Sequence, residues 1–284
     1  MRNVAVAGIG QTKFGEHWDK SLRELAADAG NLAIADSGLQ KGDVQALFVG
    51  NMAGGKFAAQ EHIAALVATQ LGITPVPATR IEAACASGAA AVRQAYVSVA
   101  SGLYDVALVV GVEKMSDLAA NEVVASLMAA SDQEWEAGIG LTFSGLYALM
   151  ARAHMHKYGT TEEQLAMVSV QNHRHAKGNK YAQFPFELKL EAVLNSPMVA
   201  DPLKLLDCSP ITDGAAAIVL AAEHIAKKMA PPVWIRASTQ ASDTLALHER
   251  SSLTDMKATR IAAKNAYATA GVDVKKLDVF EDHD

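Results

Sequence analysis

The amino-acid sequence predicts an α/β fold built from a repeated helix–strand unit, and three observations carry that prediction. Continuous apolar runs of strand type alternate with helix-favouring stretches from Val4 to Val112. Residues 257–284 can be laid without gaps over residues 24–51, so that Gly38 meets Gly271, Val44 meets Leu277 and Leu47 meets Phe280. Half of the 284 residues are hydrophobic and 20% are charged, enough apolar material for one large or two ordinary domains.

The first run, VAVAGI at residues 4–9, reads as a strand buried on both faces. Ser21 with Glu24 three residues on forms a capping box, which opens a helix through Ala35 that Gly38 stops. ALFVGN at residues 46–51 is the next strand, and a helix over residues 60–71 ends at Gly72 and the Pro75/Pro77 pair. Residues 79–81 are a short extended segment, the Ala-rich run from Ala86 is a helix, and DVALVVGV at residues 105–112 is another buried strand. This alternation predicts a mainly parallel sheet covered by helices on both sides.

From Glu113 to about Pro197 the pattern changes to methionines, aromatics and paired histidines with no strong strand. Helices are predicted over residues 143–158 and 162–177, the second opened by a Thr160/Glu163 capping box. An excursion of this length is expensive to keep ordered without a use, so it reads as a lid or substrate-shaping insertion. Residues 207–223 then bring a turn, a buried strand at 215–220 and a helix start. VWIRA at residues 233–237 answers VAVAGI and begins the second copy of the unit. The predicted organisation is a first half at 1–116 and 201–230, the insertion at 117–200, and the start of a second half at 231–284. A helix–strand unit that ends on an open sheet edge reads as the start of a domain, not a finished one.

Cys85 occupies the strand-to-helix turn before the Ala-rich helix. Backbone N–H groups and the dipole at a helix N-terminus favour a thiolate. The neighbours Ala83, Ala84, Ala86, Ser87 and Gly88 are small and leave room for a substrate at the sulfur, and Gly88 permits close packing of the helix. The competing reading is a buried small hydrophobe, the usual role of a lone cysteine in an apolar stretch. Cys208 is expected to pack near the Ser209-Pro210 turn, and two cysteines are too few for a disulfide framework.

EAACASGAAA, residues 82–91, resembles the nucleophile segment of the thiolases, within them the sterol-carrier-protein-type and archaeal branch, and the resemblance runs along nearly the whole chain. It implies a duplicated five-layer αβαβα sandwich whose second half is incomplete here. It also implies acyl transfer through an acyl-cysteine on Cys85, forming or cleaving acetoacetyl-CoA or a 3-ketoacyl-CoA. His283 and Asp284 look like the opening of the family's His-Asp-Cys-Phe motif, with His283 in the place of an asparagine that orients a water in an oxyanion hole. The family's later Gly-His-Pro histidine and Cys-x-Gly cysteine have no counterpart before Asp284, which predicts weak self-acylation and no turnover by this length of chain. His156 is placed by resemblance near the acyl pocket, and Ser87 and Gly88 beside the substrate. Arg174 and Lys177 are among the candidates for the coenzyme A phosphates. No metal and no cofactor beyond coenzyme A thioesters is implied. The partners implied are acyl-CoA and CoA, a homodimer or homotetramer, and, as in archaeal relatives, HMG-CoA synthase of the mevalonate route with a small zinc/OB-fold protein.

The histidine pairs His154/His156 and His173/His175 do not argue for a metal, because i and i+2 positions on a helix diverge by roughly 200°. An α/β-hydrolase elbow wants glycines two before and two after the nucleophile, where this chain has Ala83 and Ser87. A ketoacyl-synthase-like condensing enzyme and a scaffold subunit remain open alternatives. A net charge of −6 argues against nucleic acid as the main partner. No apolar run approaches the roughly 20 residues that span a bilayer, and MRNVAVAGIGQTKFG reads as strand and loop, so a cytoplasmic protein is expected.

Overall fold

The computed structural model describes residues 2–229 and 232–282. Strand β1 (Val4–Gln11) leads into helix α1 (Leu22–Ser37). Ser21 caps α1 as predicted: its backbone N–H donates to the Glu24 carboxylate at 2.8 Å, its hydroxyl accepts from Glu24 N, and Gly38 ends the helix at φ 70°. Strand β2 (Ala46–Gly50), the one-turn helix α2 (Gly54–Phe57) and helix α3 (Ile63–Leu71) follow. The predicted helix over 60–71 starts late because residues 54–57 form a turn of their own and His62 enters α3 at a left-handed φ of 54°. Strand β3 (Ala78–Ile81), helix α4 (Ser87–Ser101) and strand β4 (Val106–Glu113) complete the alternation.

Between β4 and the next long strand lie α5 (Ala120–Leu127), α6 (Phe143–Tyr158), α7 (Glu162–Ala176), α8 (Leu190–Leu194) and the small hairpin of β5 (Met198–Ala200) and β6 (Leu203–Lys204). The box that opens α7 is Thr161 with Gln164, one residue later than predicted. Either threonine satisfies the spacing in sequence, but only Thr161 has its side chain over the orphan N–H of the third helical residue. Strand β7 (Gly214–Ala222), helix α9 (Glu223–Ala226), strand β8 (Val233–Trp234) and helix α10 (Lys257–Ala270) close the order.

The sheet runs β3-β2-β4-β7-β1-β8. Its β3, β2 and β4 are parallel, whereas β7 lies antiparallel between β4 and β1, and β8 is antiparallel to β1. The sheet is therefore mixed, which corrects the mainly parallel expectation. A βα crossover of ordinary length dictates direction, but the excursion before β7 is long enough to return from either end. Successive residues of β4 serve the two faces in turn: Leu108, Val110 and Val112 join the core under α1 and α3, while Ala107 and Val109 join Ala91, Ala95 and Val99 of α4. The result is helix layer, sheet, helix layer, the first half of the predicted sandwich.

The second half is sparser than its sequence match suggests. Helix α10 and its stop at Gly271, φ 65°, form as the repeat predicts. The strand expected at VWIRA shortens to two residues and joins the first sheet, pairing Val6 with Val233 and Ala5 with Trp234. The strand that the match to residues 46–51 places at 279–284 does not form over its described residues, 279–282, and Val279 and Phe280 are 85% and 70% exposed. A strand needs a neighbour for its backbone groups, and none lies beside this segment in the described sheet.

Candidate active site

Strand β3 ends at Ile81, and the chain then turns sharply into α4 through a short 3₁₀ segment, Ala84–Ala86. Ala84 adopts φ 48°, a left-handed conformation that costs an L-residue about 1–2 kcal/mol. Ser87 offsets it. Its buried hydroxyl accepts from Ala83 N at 2.9 Å and donates to Ala84 O at 2.6 Å, and the Glu82 carboxylate accepts from Ala84 N at 2.6 Å. The stapled turn pushes Cys85 out, so that its thiol is exposed at the opening of α4. The bland reading of a buried cysteine fails here.

Ser87 thus holds the nucleophile's loop, its hydroxyl both accepting and donating within the turn. Gly88 lies where the close approach was expected, but the glycine that permits it is Gly50 of β2. A Cβ on Gly50 would fall 2.7 Å from Gly88 Cα and Ser87 O, whereas a Cβ on Gly88 would meet nothing within 4 Å. Gly50→Ala is therefore expected to cost about 2 kcal/mol and to slow alkylation of Cys85, while Gly88→Ala leaves the urea midpoint within error or slightly raised. Equal destabilisation by the two substitutions would contradict this contact.

Helix α6 carries Tyr147, a residue that sequence reasoning did not single out: partial burial pushes its phenol up, the charge of Cys85 adds to the rise, and Arg250 opposes it. Tyr147 and Arg250 border a cavity of about 180 Å³ whose apolar wall includes Phe143, Leu146, Met150 and Leu247. Arg250 Nε is buried there without a hydrogen-bond partner among the described residues. The 143–158 helix was legible, but nothing in its sequence says which turn borders this cavity.

His156, the position expected near the acyl pocket, lies nine residues beyond Tyr147 on α6, about 14 Å along the axis, and is exposed. His154 Nδ1 contacts Thr160 Oγ1 at 2.9 Å, and His173 Nδ1 contacts Phe186 O at 3.0 Å. Lys177 is paired with Glu187 at 2.9 Å. Cys208 is half-buried, and burial pushes its thiol up with a Ser144 hydrogen bond opposing. His283, the other expected catalytic residue, lies outside the described residues.

Residues 4–224 match the family described as Thiolase, N-terminal domain. The acetyl-CoA acetyltransferase of Methanothermobacter thermautotrophicus is 52% identical over 285 residues, an alignment that covers 100% of this chain and 74% of that protein. Its counterpart in Methanocaldococcus jannaschii is 51% identical, with 100% and 73% covered. Among solved structures, the Ltp2-ChsH2(DUF35) aldolase superposes with a TM-score of 0.81 at 29% identity, over 96% of this chain and 70% of that one. The cysteine turn, the sheet and the helix layers all fall inside these matches, and the chain belongs to the thiolase family as a thiolase-type acyltransferase.

Proposed function

We propose that the chain transfers acyl groups between coenzyme A thioesters through an acyl-enzyme on Cys85, forming or cleaving acetoacetyl-CoA or a related 3-ketoacyl-CoA. The observation that carries this reading is the exposed Cys85 on a strained, stapled turn at the N-terminus of α4, a helix packed on the sheet. Its thiolate attacks the carbonyl carbon of acetyl-CoA, the carbon–sulfur bond to coenzyme A breaks, and the departing thiolate takes up a proton. The acyl group then passes to the α-carbon of a second acyl-CoA after loss of a proton there, or returns to a coenzyme A thiol. Backbone N–H groups where α4 opens are the oxyanion donors in this reading, with His283 orienting a water.

The cavity between Tyr147 and Arg250 takes the acyl chain, and the insertion that carries Tyr147 selects it. Gly88, with open space where a side chain would be, borders the substrate's path. The names of the two archaeal relatives support acetyl-CoA as the substrate. The solved assembly with a DUF35 chain supports a companion protein for this chain as well. Self-association, HMG-CoA synthase as a neighbour in the mevalonate route, and a cytoplasmic setting belong to the same proposal. No helix among the described residues is long and apolar enough to cross a membrane. The test is to incubate the chain with acetyl-CoA and map the acetyl adduct by mass spectrometry. Adduct on Cys85 is expected, and adduct on Cys208 alone would sink the assignment.

A further inference from the structure

Behind the cysteine turn, where β2, β3 and β4 end, lies a polar cluster that acyl transfer as described leaves unused. Glu113, the last residue of β4, accepts with both carboxylate oxygens: Oε1 from Asn51 Nδ2 at 2.8 Å and Oε2 from Met52 N at 2.9 Å. Asn51 is 1% exposed and fully engaged. Its Nδ2 also donates to Val112 O at 2.9 Å, its Oδ1 accepts from Gly54 N at 3.0 Å, and its backbone N–H donates to Ile81 O at 3.2 Å. Arg80 grips the same segment from β3, donating to Asn51 O at 3.2 Å and Met52 O at 2.7 Å, while its remaining nitrogen meets Glu61 at 2.8 Å.

Residues 51 and 52 are thus fastened to β4 by Glu113 and to β3 by Arg80 and Ile81. From there two short paths lead to the nucleophile. Gly50, one residue back, is the seat on which Ser87 and Gly88 rest. Ile81, whose carbonyl Asn51 holds, is followed by only three residues before Cys85. Because side chains in a close-packed interior transmit displacement instead of absorbing it, a shift at residues 51–52 reaches the 83–87 turn by both paths.

We infer that Glu113 is a positioning residue for Cys85, its two acceptor oxygens fixing residues 51 and 52 and, through Gly50 and Ile81, the placement of the nucleophile's turn. The inference rests on Cys85 as the nucleophile. Two N–H donors converge on this side chain, so the site demands two acceptors. An amide offers one, and its NH₂ would face a donor. Burial pushes the Glu113 carboxyl up, and the Met52 and Ala53 amides, Asn51 and Arg80 pull against it.

The test is the rate of acetyl transfer from acetyl-CoA to Cys85 in the intact chain, followed by mass spectrometry across acetyl-CoA concentrations. Misplacing a reacting group by about 1 Å can cost about 10²-fold. Glu113→Gln is therefore expected to lower the saturated rate roughly 100-fold while the half-saturating concentration stays within about threefold. Glu113→Asp keeps two acceptor oxygens on a stem one methylene shorter and is expected to retain at least about tenfold more of the rate than Glu113→Gln. If Glu113→Gln alone does not fold, Glu113→Asp and Arg80→Lys carry the same comparison, each lowering the saturated rate. An unchanged saturated rate, a loss confined to the half-saturating concentration, or Glu113→Asp no better than Glu113→Gln would each overturn the role. Absence of adduct on Cys85 in the unsubstituted chain overturns the nucleophile assignment and this inference with it, whereas equal adduct in all variants overturns the inference alone.

Discussion

Cys85→Ala is expected to abolish the acetyl adduct and to lower any acyl transfer at least about 10⁴-fold, because no second nucleophile shares its turn. The neighbours on that turn are alanines, a glycine and a serine whose hydroxyl is already committed to the backbone. The thiol is exposed, so its loss removes little buried area, and the change in stability should stay within about 0.5 kcal/mol. Cys208→Ala is the matched control. Its thiol is half-buried and held up by desolvation, and the variant should keep the adduct on Cys85. An adduct that survives Cys85→Ala would show that acylation happens elsewhere.

That Cys85 could be picked from sequence, while its surroundings could not, has a physical reason. Strand β4 is buried on both faces and reads as an unbroken apolar run, and α1 carries its own start and stop in Ser21, Glu24 and Gly38. Such signals are local. The direction of β7 is not, because strand periodicity is the same read either way, and only the long connection from β4 decides it. Ala84 gives no hint of its left-handed backbone, since alanine is not a residue that advertises one. Glu113 reads as the end of a strand, and its partners Asn51 and Met52 come from a strand end some 60 positions earlier. Tyr147 and Leu146 are ordinary members of an amphipathic helix until the fold sets them on a cavity shared with Leu247 and Arg250.

The second large effect is expected at a residue with no role in acyl transfer. Asp213 is 0% exposed and its carboxylate accepts from five donors: Met115 N at 2.7 Å and Ser116 N at 2.9 Å on one oxygen, and Ser116 Oγ at 2.5 Å, His17 N at 2.9 Å and Lys114 Nζ at 3.0 Å on the other. Lys114 is 1% exposed, and its remaining partners are Ser116 Oγ, Asp117 and the Trp18 ring, 5.7 Å away. Asp213→Ala would leave this ammonium buried with half its charge compensation and orphan three backbone amides. Breaking a buried pair from one side typically costs about 3–5 kcal/mol, a large share of the 5–15 kcal/mol that holds a domain together. Since Lys114 follows Glu113 directly, the damage would reach the cysteine turn as well.

Acid should expose the same group. Burial alone would raise the Asp213 carboxyl, but the Ser116 hydroxyl and the amides of His17, Ser116 and Met115 outweigh it and hold it down to about 2, against an ordinary 3.8. A depressed carboxyl stabilises the fold fully above its unfolded value and loses that contribution as pH falls from about 4 through about 2, a difference on the order of 2 kcal/mol. Urea unfolding between about pH 6 and pH 2 should therefore show a loss in the unsubstituted chain that Asp213→Asn, already weakened at neutral pH, does not show. Parallel curves for the two proteins across that window would mean that Asp213 is not the group whose protonation loosens the fold.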